Sequence, residues 1–148
     1  MVLNTCSSVI SFAKELENAT ARFYQGLSEK HAHDAETFVS FAKENQKNII
    51  AIERAYYGVI SDAIEGGFAF NINTDEYKIK TELDEKASYP DILKRALEVE
   101  EKIIKFYANA AEQSMSLMAD VPRAFTKVAR QRSSRRPKLE LLLNREAG

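Results

Sequence analysis

Two stretches of this chain, 83 residues apart, spell the same helix. Ala13-Lys-Glu-Leu-Glu17, five further residues and Phe23-Tyr24 align with Ala96-Leu-Glu-Val-Glu100, five residues and Phe106-Tyr107. A second pair follows at an offset of 87: Phe38-Val-Ser-Phe-Ala42 and Phe125-Thr-Lys-Val-Ala129. The change of four residues falls in the loop between the paired segments. A repeat of two helices, each with its own apolar stripe, restricts the chain to two similar helical hairpins related by a pseudo-two-fold axis, because neither hairpin can bury its stripes alone.

The stripes themselves are helical. Val9, Phe12, Ala13, Leu16, Ala19, Thr20, Phe23, Tyr24 and Leu27 recur at three- and four-residue steps. After a polar break at residues 28–34, with Asp34 as the expected N-cap, Phe38, Phe41, Ala42, Ile49, Ile52 and Tyr56 keep one face. Gly58 begins the end of this second helix and Gly66-Gly67 is a firmer stop. The third helix starts near Ser88, whose Ser-Tyr-Pro-Asp run is a capping signal with an early proline. Asp120 is expected to cap the fourth, whose face is Val121, Phe125, Val128, Leu139, Leu142 and Leu143. Pro137 lies inside it, removes a hydrogen bond and clashes with the preceding turn, so a kink or break is expected near 133–137.

Connection lengths set the topology. The first and last connections are short, so each pair is an antiparallel hairpin. The middle one, about residues 58–87, is far longer than a bundle turn. It suits a crossover running the length of the bundle, leaving the second and third helices parallel. The alternation of Phe68, Phe70 and Ile72 places part of it extended against the bundle. The expected fold is therefore all-α, one domain over 1–148: a four-helix bundle of two antiparallel helical hairpins joined by a long crossover.

Composition narrows the function classes. With 148 residues a single core suffices without staples. One Cys excludes an internal disulfide and a four-Cys metal knot, and 5 Gly with 3 Pro are too few for a many-turned β-sandwich. A net charge of −1 gives no bulk argument for nucleic acid or membrane. No apolar run approaches the roughly 20 residues a membrane helix needs, and residues 2–13 lack the basic flank of a secretory signal. A cytoplasmic protein is the expectation.

Placed at about 100° per residue on its helix, Glu100 falls in the middle of its stripe, among Leu93, Ala96, Ile103, Ile104 and Tyr107. Glu17 falls near the edge of its own, whereas Glu15 and Glu98 point away toward solvent. Asn45 and Asn48 share the apolar face of the second helix, and Arg132 and Arg135 that of the fourth if it is continuous. Four helices thus aim polar groups at one core level. A lone buried carboxylate costs several kcal/mol unless paired, metal-bound or protonated. Glu17 and Glu100 therefore need a compensating partner.

These residues resemble the rubrerythrin-like branch of the ferritin-like superfamily. The marks are Glu17-Asn-Ala-Thr-Ala-Arg-Phe-Tyr24, Glu100-Glu-Lys-Ile-Ile-Lys-Phe-Tyr107 and the Phe-x-x-(Phe/Val)-Ala starts at Phe38 and Phe125, in family order over nearly the whole chain. The resemblance implies a ferritin-like bundle, a homodimer, and a di-iron centre held by one Glu from each of two helices and a Glu-x-x-His pair from each of the others, used in peroxide or oxygen chemistry. By position Glu17 and Glu100 match the single-Glu ligands, with Tyr24 and Tyr107 beside them. The Glu-x-x-His positions carry Asn45-Gln-Lys-Asn48 and Arg132-Ser-Ser-Arg135 instead, and the chain contains no Glu-x-x-His. Both histidines, His31 and His33, fall in a loop.

The oxidoreductase activity therefore does not carry over with the fold. Arg132, with Arg135, is expected to donate bidentate hydrogen bonds to Glu100 and Glu17 and to stand in for the metal charge. If the break at Pro137 turns the helix outward, Arg135 reaches solvent instead. The expected cofactor is none and the expected role is non-catalytic, a structural or interaction protein with a protein partner the sequence does not name. The alternative is a vestigial di-iron oxidoreductase with iron or another divalent metal weakly held by Glu17 and Glu100. A second alternative uses the basic run from Arg123 to Lys138, seven Lys or Arg and no acid, to bind an anion or nucleic acid. The lack of interleaved aromatics argues against nucleic acid. His31-Ala-His33 lacks the accompanying ligands of a metal site and reads as plain loop.

Overall fold

A computed structural model describes residues 1–62, 70–115 and 120–147. The chain is an all-α bundle with a two-residue strand pair at one end. The elements are β1 (Val2–Leu3), α1 (Cys6–Lys30), a 3-10 turn (Ala32–Asp34), α2 (Ala35–Asp62), β2 (Ile72–Asn73), a second 3-10 turn (Thr74–Tyr77), α3 (Tyr89–Gln113), α4 (Asp120–Ser133) and α5 (Arg135–Ala147). Among the described residues no helix is long and apolar enough to cross a membrane.

Caps mark where the helices begin. Thr5 caps α1 with a reciprocal box, its side chain taking the Ser8 N–H while the Ser8 hydroxyl oxygen takes the Thr5 N–H. Ser88 caps α3 by accepting from the Asp91 N–H at 3.2 Å, with a proline in the first turn. Asp34 directly precedes α2, but its carboxylate is engaged elsewhere, as described below. Asp120 is the first residue of α4. The second helix does not end at Gly58: a single glycine costs about 1 kcal/mol against alanine, too little to stop α2, which continues to Asp62. Gly66, Gly67 and Phe68 lie outside the described residues.

Side-chain pairings fix the helix directions. Lys14–Glu53, Glu17–Asn48 and Thr20–Asn45 show α1 and α2 running antiparallel. Glu17–Tyr107 and Tyr24–Glu100 make α1 and α3 antiparallel, so α2 and α3 are parallel. Glu100–Arg132 and Tyr107–Phe125 set α4 antiparallel to α3. The long connection accounts for this order. β2 pairs antiparallel with β1 beside the start of α1, and Phe70 and Ile72 are buried there. The chain then passes Lys78, whose carbonyl accepts from Lys102, and Glu82, whose carbonyl accepts from Arg95. Leu83 lies against Gly26, near the far end of α1. The crossover thus follows α3 backward along the bundle to the Ser88 cap.

The fourth helix is two helices. α4 ends at Ser133 and α5 starts at Arg135, with Pro137 in the first turn of α5. There the missing N–H is tolerated, while the ring forbids a continuous helix through residue 133. α5 buries Leu139 and half-buries Leu142 and Leu143. Its far end is tied to the α1–α2 connection. Arg145 donates Nη1 to Asp34 Oδ1 at 2.9 Å and Nη2 to Asp34 Oδ2 at 2.6 Å, and the Tyr89 hydroxyl donates to Oδ2 at 2.6 Å. His33 Nε2 lies 3.3 Å from the same oxygen, and the His31 ring stacks on Tyr89.

The Arg145 hydrogen bonds hold the Asp34 carboxyl down to about 2, against burial, which raises it. This value lies below the ordinary 3.8, so the latch contributes fully above that pH and is lost as the pH falls through about 2. Asp34→Asn should therefore lower the urea midpoint at neutral pH, and the gap to the wild type should close on acidification between pH 4 and pH 2. A gap that persists unchanged at the acid end would show that the latch carries no such charge.

Candidate functional site

Six polar residues expected at one core level meet there. Glu17, Asn45, Glu100, Arg132 and Arg135 are fully buried, and Asn48 is 5% exposed. They come from α1, α2, α3, α4 and the first residue of α5. Glu17, near the edge of its own stripe, is as buried as Glu100, because α2 and α4 close over that edge. The break at Ser134 does not send Arg135 to solvent. Restarting the helix at residue 135 turns that side chain into the core. Glu15 and Glu98 are exposed.

Arg132 lies between the two acids. Its Nη1 donates to Glu100 Oε1 at 2.6 Å, while Nε and Nη2 donate to Glu17 Oε2 at 2.9 and 2.5 Å. Nη2 also donates to Thr20 Oγ1 at 2.8 Å. Arg135 Nη1 donates to Glu100 Oε2 at 3.2 Å, and its Nη2 donates to the Phe41 carbonyl at 3.0 Å and to Asn45 Oδ1 at 2.5 Å. Tyr24 and Tyr107 complete the shell crosswise: the Tyr24 hydroxyl donates to Glu100 Oε2 at 2.6 Å and the Tyr107 hydroxyl to Glu17 Oε2 at 3.0 Å. Asn48 Nδ2 donates to Glu17 Oε1 at 2.9 Å. All four carboxylate oxygens are thereby taken by protein donors.

The protonation states follow from this packing. Burial alone would raise the Glu100 carboxyl, but the charges of Arg132 and then Arg135 outweigh it and hold the group below its ordinary value. Burial likewise works against the Arg132 charge and is overcome by Glu100 and Glu17, so its pKa rises further. Tyr24 and Tyr107 are raised well above 10.0, by burial and then by the adjacent carboxylates. Each stays a neutral hydroxyl that can donate.

Three participants carry no sequence signal of their own. Thr20 is in the α1 stripe and accepts from Asn45 and Arg132. Gln131 and Glu44 precede Arg132 and Asn45 by one residue. Asn48 donates to Gln131 Oε1 at 2.9 Å, and Gln131 donates in turn to Glu44 Oε2. Glu44 Oε2 lies 3.6 Å from Arg135 Nε, which has no hydrogen-bond partner.

This donor set does not fit a di-iron centre. Such a centre wants imidazoles and several carboxylates with free lone pairs. Here the only carboxylates in the fully buried cluster are those of Glu17 and Glu100, and each of their oxygens already accepts from a protein donor. Amides and guanidinium groups stand at the remaining positions, and the guanidinium of Arg132 fills the space between the acids. His31 and His33 are at the bundle end. Among the described residues no group of three or more His, Cys, Asp and Glu is arranged to hold a metal ion. The basic run divides in two: Arg132 and Arg135 face the core, while Arg123, Lys127, Arg130, Arg136 and Lys138 are exposed. No family model, curated protein or solved structure matches the chain at a significant level.

Removing one partner of a buried charge pair strands the other, at about 3–5 kcal/mol. Arg132→Met should therefore cost stability in that range by urea denaturation. Adding Glu17→Gln to it should recover part of the loss, because Glu17 pairs with no other charge in the cluster, whereas Glu100 keeps Arg135. A double variant less stable than Arg132→Met alone would show that Glu17 is compensated by something other than Arg132.

Proposed function

We propose that this chain is a ferritin-like bundle of the rubrerythrin-like kind in which a guanidinium–carboxylate network replaces the metal centre, and that it serves as a non-catalytic structural or interaction protein. The observation that carries this reading is the position of Arg132. It bridges the two glutamates that the resemblance assigns as metal ligands, at 2.5 and 2.6 Å. Antiparallel hairpins, a parallel α2 and α3, and a crossover running along the bundle support the ferritin-like assignment. The Tyr hydroxyls crossing between repeats support the pseudo-two-fold relation. A homodimer is part of the proposal through the resemblance.

The oxidoreductase alternative finds no support in the cluster, since every carboxylate oxygen already accepts from a protein donor and two fixed positive charges repel a cation. The anion-binding alternative loses the two arginines that are turned inward.

Two measurements decide between these readings. Elemental analysis after native purification should find iron and manganese well below one per chain; a stoichiometric metal would overturn the proposal. The combined variant Asn45→Glu, Asn48→His, Arg132→Glu and Arg135→His should bind a divalent metal and gain thermal stability from it. A folded variant with no affinity for any divalent metal would overturn the assignment of these four positions.

A further inference from the structure

Arg135 is held the way a protein holds a guest. Its guanidinium carbon lies 5.4 Å from the Tyr24 ring centroid and 5.0 Å from that of Phe41. Glu100, Asn45 and the Phe41 carbonyl accept from its Nη atoms at 3.2, 2.5 and 3.0 Å. Two aromatic faces, one carboxylate and two neutral acceptors make a cage selective for a planar organic cation. The fit from within is incomplete, because the buried Nε has no partner and stands 3.6 Å from Glu44.

The element delivering Arg135 is the least embedded helix of the bundle. A turn at Ser134 separates α5 from α4. Of the α5 side chains described, only Arg135 and Leu139 are fully buried, and Leu141 is 70% exposed. Leu139 belongs to the apolar cluster, with Tyr24, Phe38 and Phe41, that adjoins the cage. The distal end is held by half-buried Leu142 and Leu143 against the same cluster and by one ion pair to another element, Arg145 with Asp34, which is 44% exposed on the arginine side.

We propose that Glu100, Asn45, Tyr24 and Phe41 form a guanidinium-binding cage, that α5 is a tethered plug filling it with Arg135, and that release of the Arg145–Asp34 latch opens it to a free alkylguanidinium. The inference goes beyond the metal-replacement reading and does not depend on it: the cage stands on its own contacts whatever the origin of the glutamates.

Arg135→Ala removes the plug's guanidinium and leaves a space shaped for ethylguanidinium. Millimolar ethylguanidinium chloride should raise the thermal midpoint of this variant, saturably, by about 3 °C beyond an equal concentration of sodium chloride. If the variant folds poorly, ethylguanidinium should restore its helical circular dichroism. Arg135→Met, which fills the space with an apolar chain, should gain nothing. Arg145→Ala keeps the cage residues and frees the far end, so amide exchange in α5 should quicken at least several-fold over that in α4, and agmatine should quicken it further by holding the plug out. The proposal fails if ethylguanidinium acts on Arg135→Ala no better than sodium chloride. It fails equally if agmatine leaves α5 exchange in Arg145→Ala unchanged.

Discussion

A guanidinium group between two carboxylates that no solvent reaches is the constraint on which the rest of the structure turns. Each acid alone would carry a desolvation cost of several kcal/mol, and the planar fork of Arg132 meets both at hydrogen-bonding distance with donors to spare for Thr20. The geometry leaves little freedom. Glu17 is on α1, Glu100 on α3 and Arg132 on α4, so the three helices can adopt one register relative to one another. A slip of one turn, about 5.4 Å, would separate every donor from its acceptor. Apolar packing between helices tolerates small shifts; a dry ionic network at this level does not. Its contribution lies in selecting one arrangement more than in adding net stability, since a well-packed apolar core of equal volume is often as stable.

The repeat gives the network its form. Tyr24 and Tyr107 occupy equivalent places, and each donates to the glutamate of the other repeat. Asn48 and Arg135 are also equivalent under the second offset, and each reaches the glutamate of its own hairpin. The halves differ in charge: amides in the first hairpin, guanidinium groups in the second. Both formal positive charges therefore come from α4 and α5, and the first hairpin contributes neutral donors only. A break in the second hairpin at Ser134 lets one helical segment position Arg132 and the next position Arg135, each on its own axis.

Much of this was legible in the sequence, for reasons that differ by residue. Glu100 stands out because it sits mid-stripe, where one helix alone shows the conflict between charge and burial. Glu17 is harder, since a single-helix projection puts it near an edge and cannot show that two other helices close over that edge. The break near Pro137 follows from proline chemistry, but the direction in which Arg135 leaves the break does not. Phe70 and Ile72 reveal the docked part of the crossover through their alternation, though the strand itself is only two residues long. Asp34, Tyr89 and Arg145 are different. They meet across 55 and 111 residues of sequence and obey no period, so neither stripe nor motif points to the latch. The hydrogen bonds Asp34 makes there draw its carboxylate from the capping role its position suggests.

A metal ion and an arginine solve the same electrostatic problem with different consequences. An ion can leave a site while the backbone stays in place, because its ligands belong to the protein and its charge does not. The charge of an arginine is fixed to its helix. To empty this core of positive charge, α4 or α5 has to move, and to move either helix is to take a guanidinium partner from a buried carboxylate. Charge state and conformation are therefore a single variable here. The two helices are not held equally. Arg132 is bonded to both acids and belongs to α4, which also buries Val121, Phe125 and Val128. Arg135 touches one carboxylate and begins a helix with few buried side chains of its own. Any conformational freedom coupled to the core charge must fall first on α5, since withdrawing it breaks one ion pair to Glu100 while the Arg132 bridge survives.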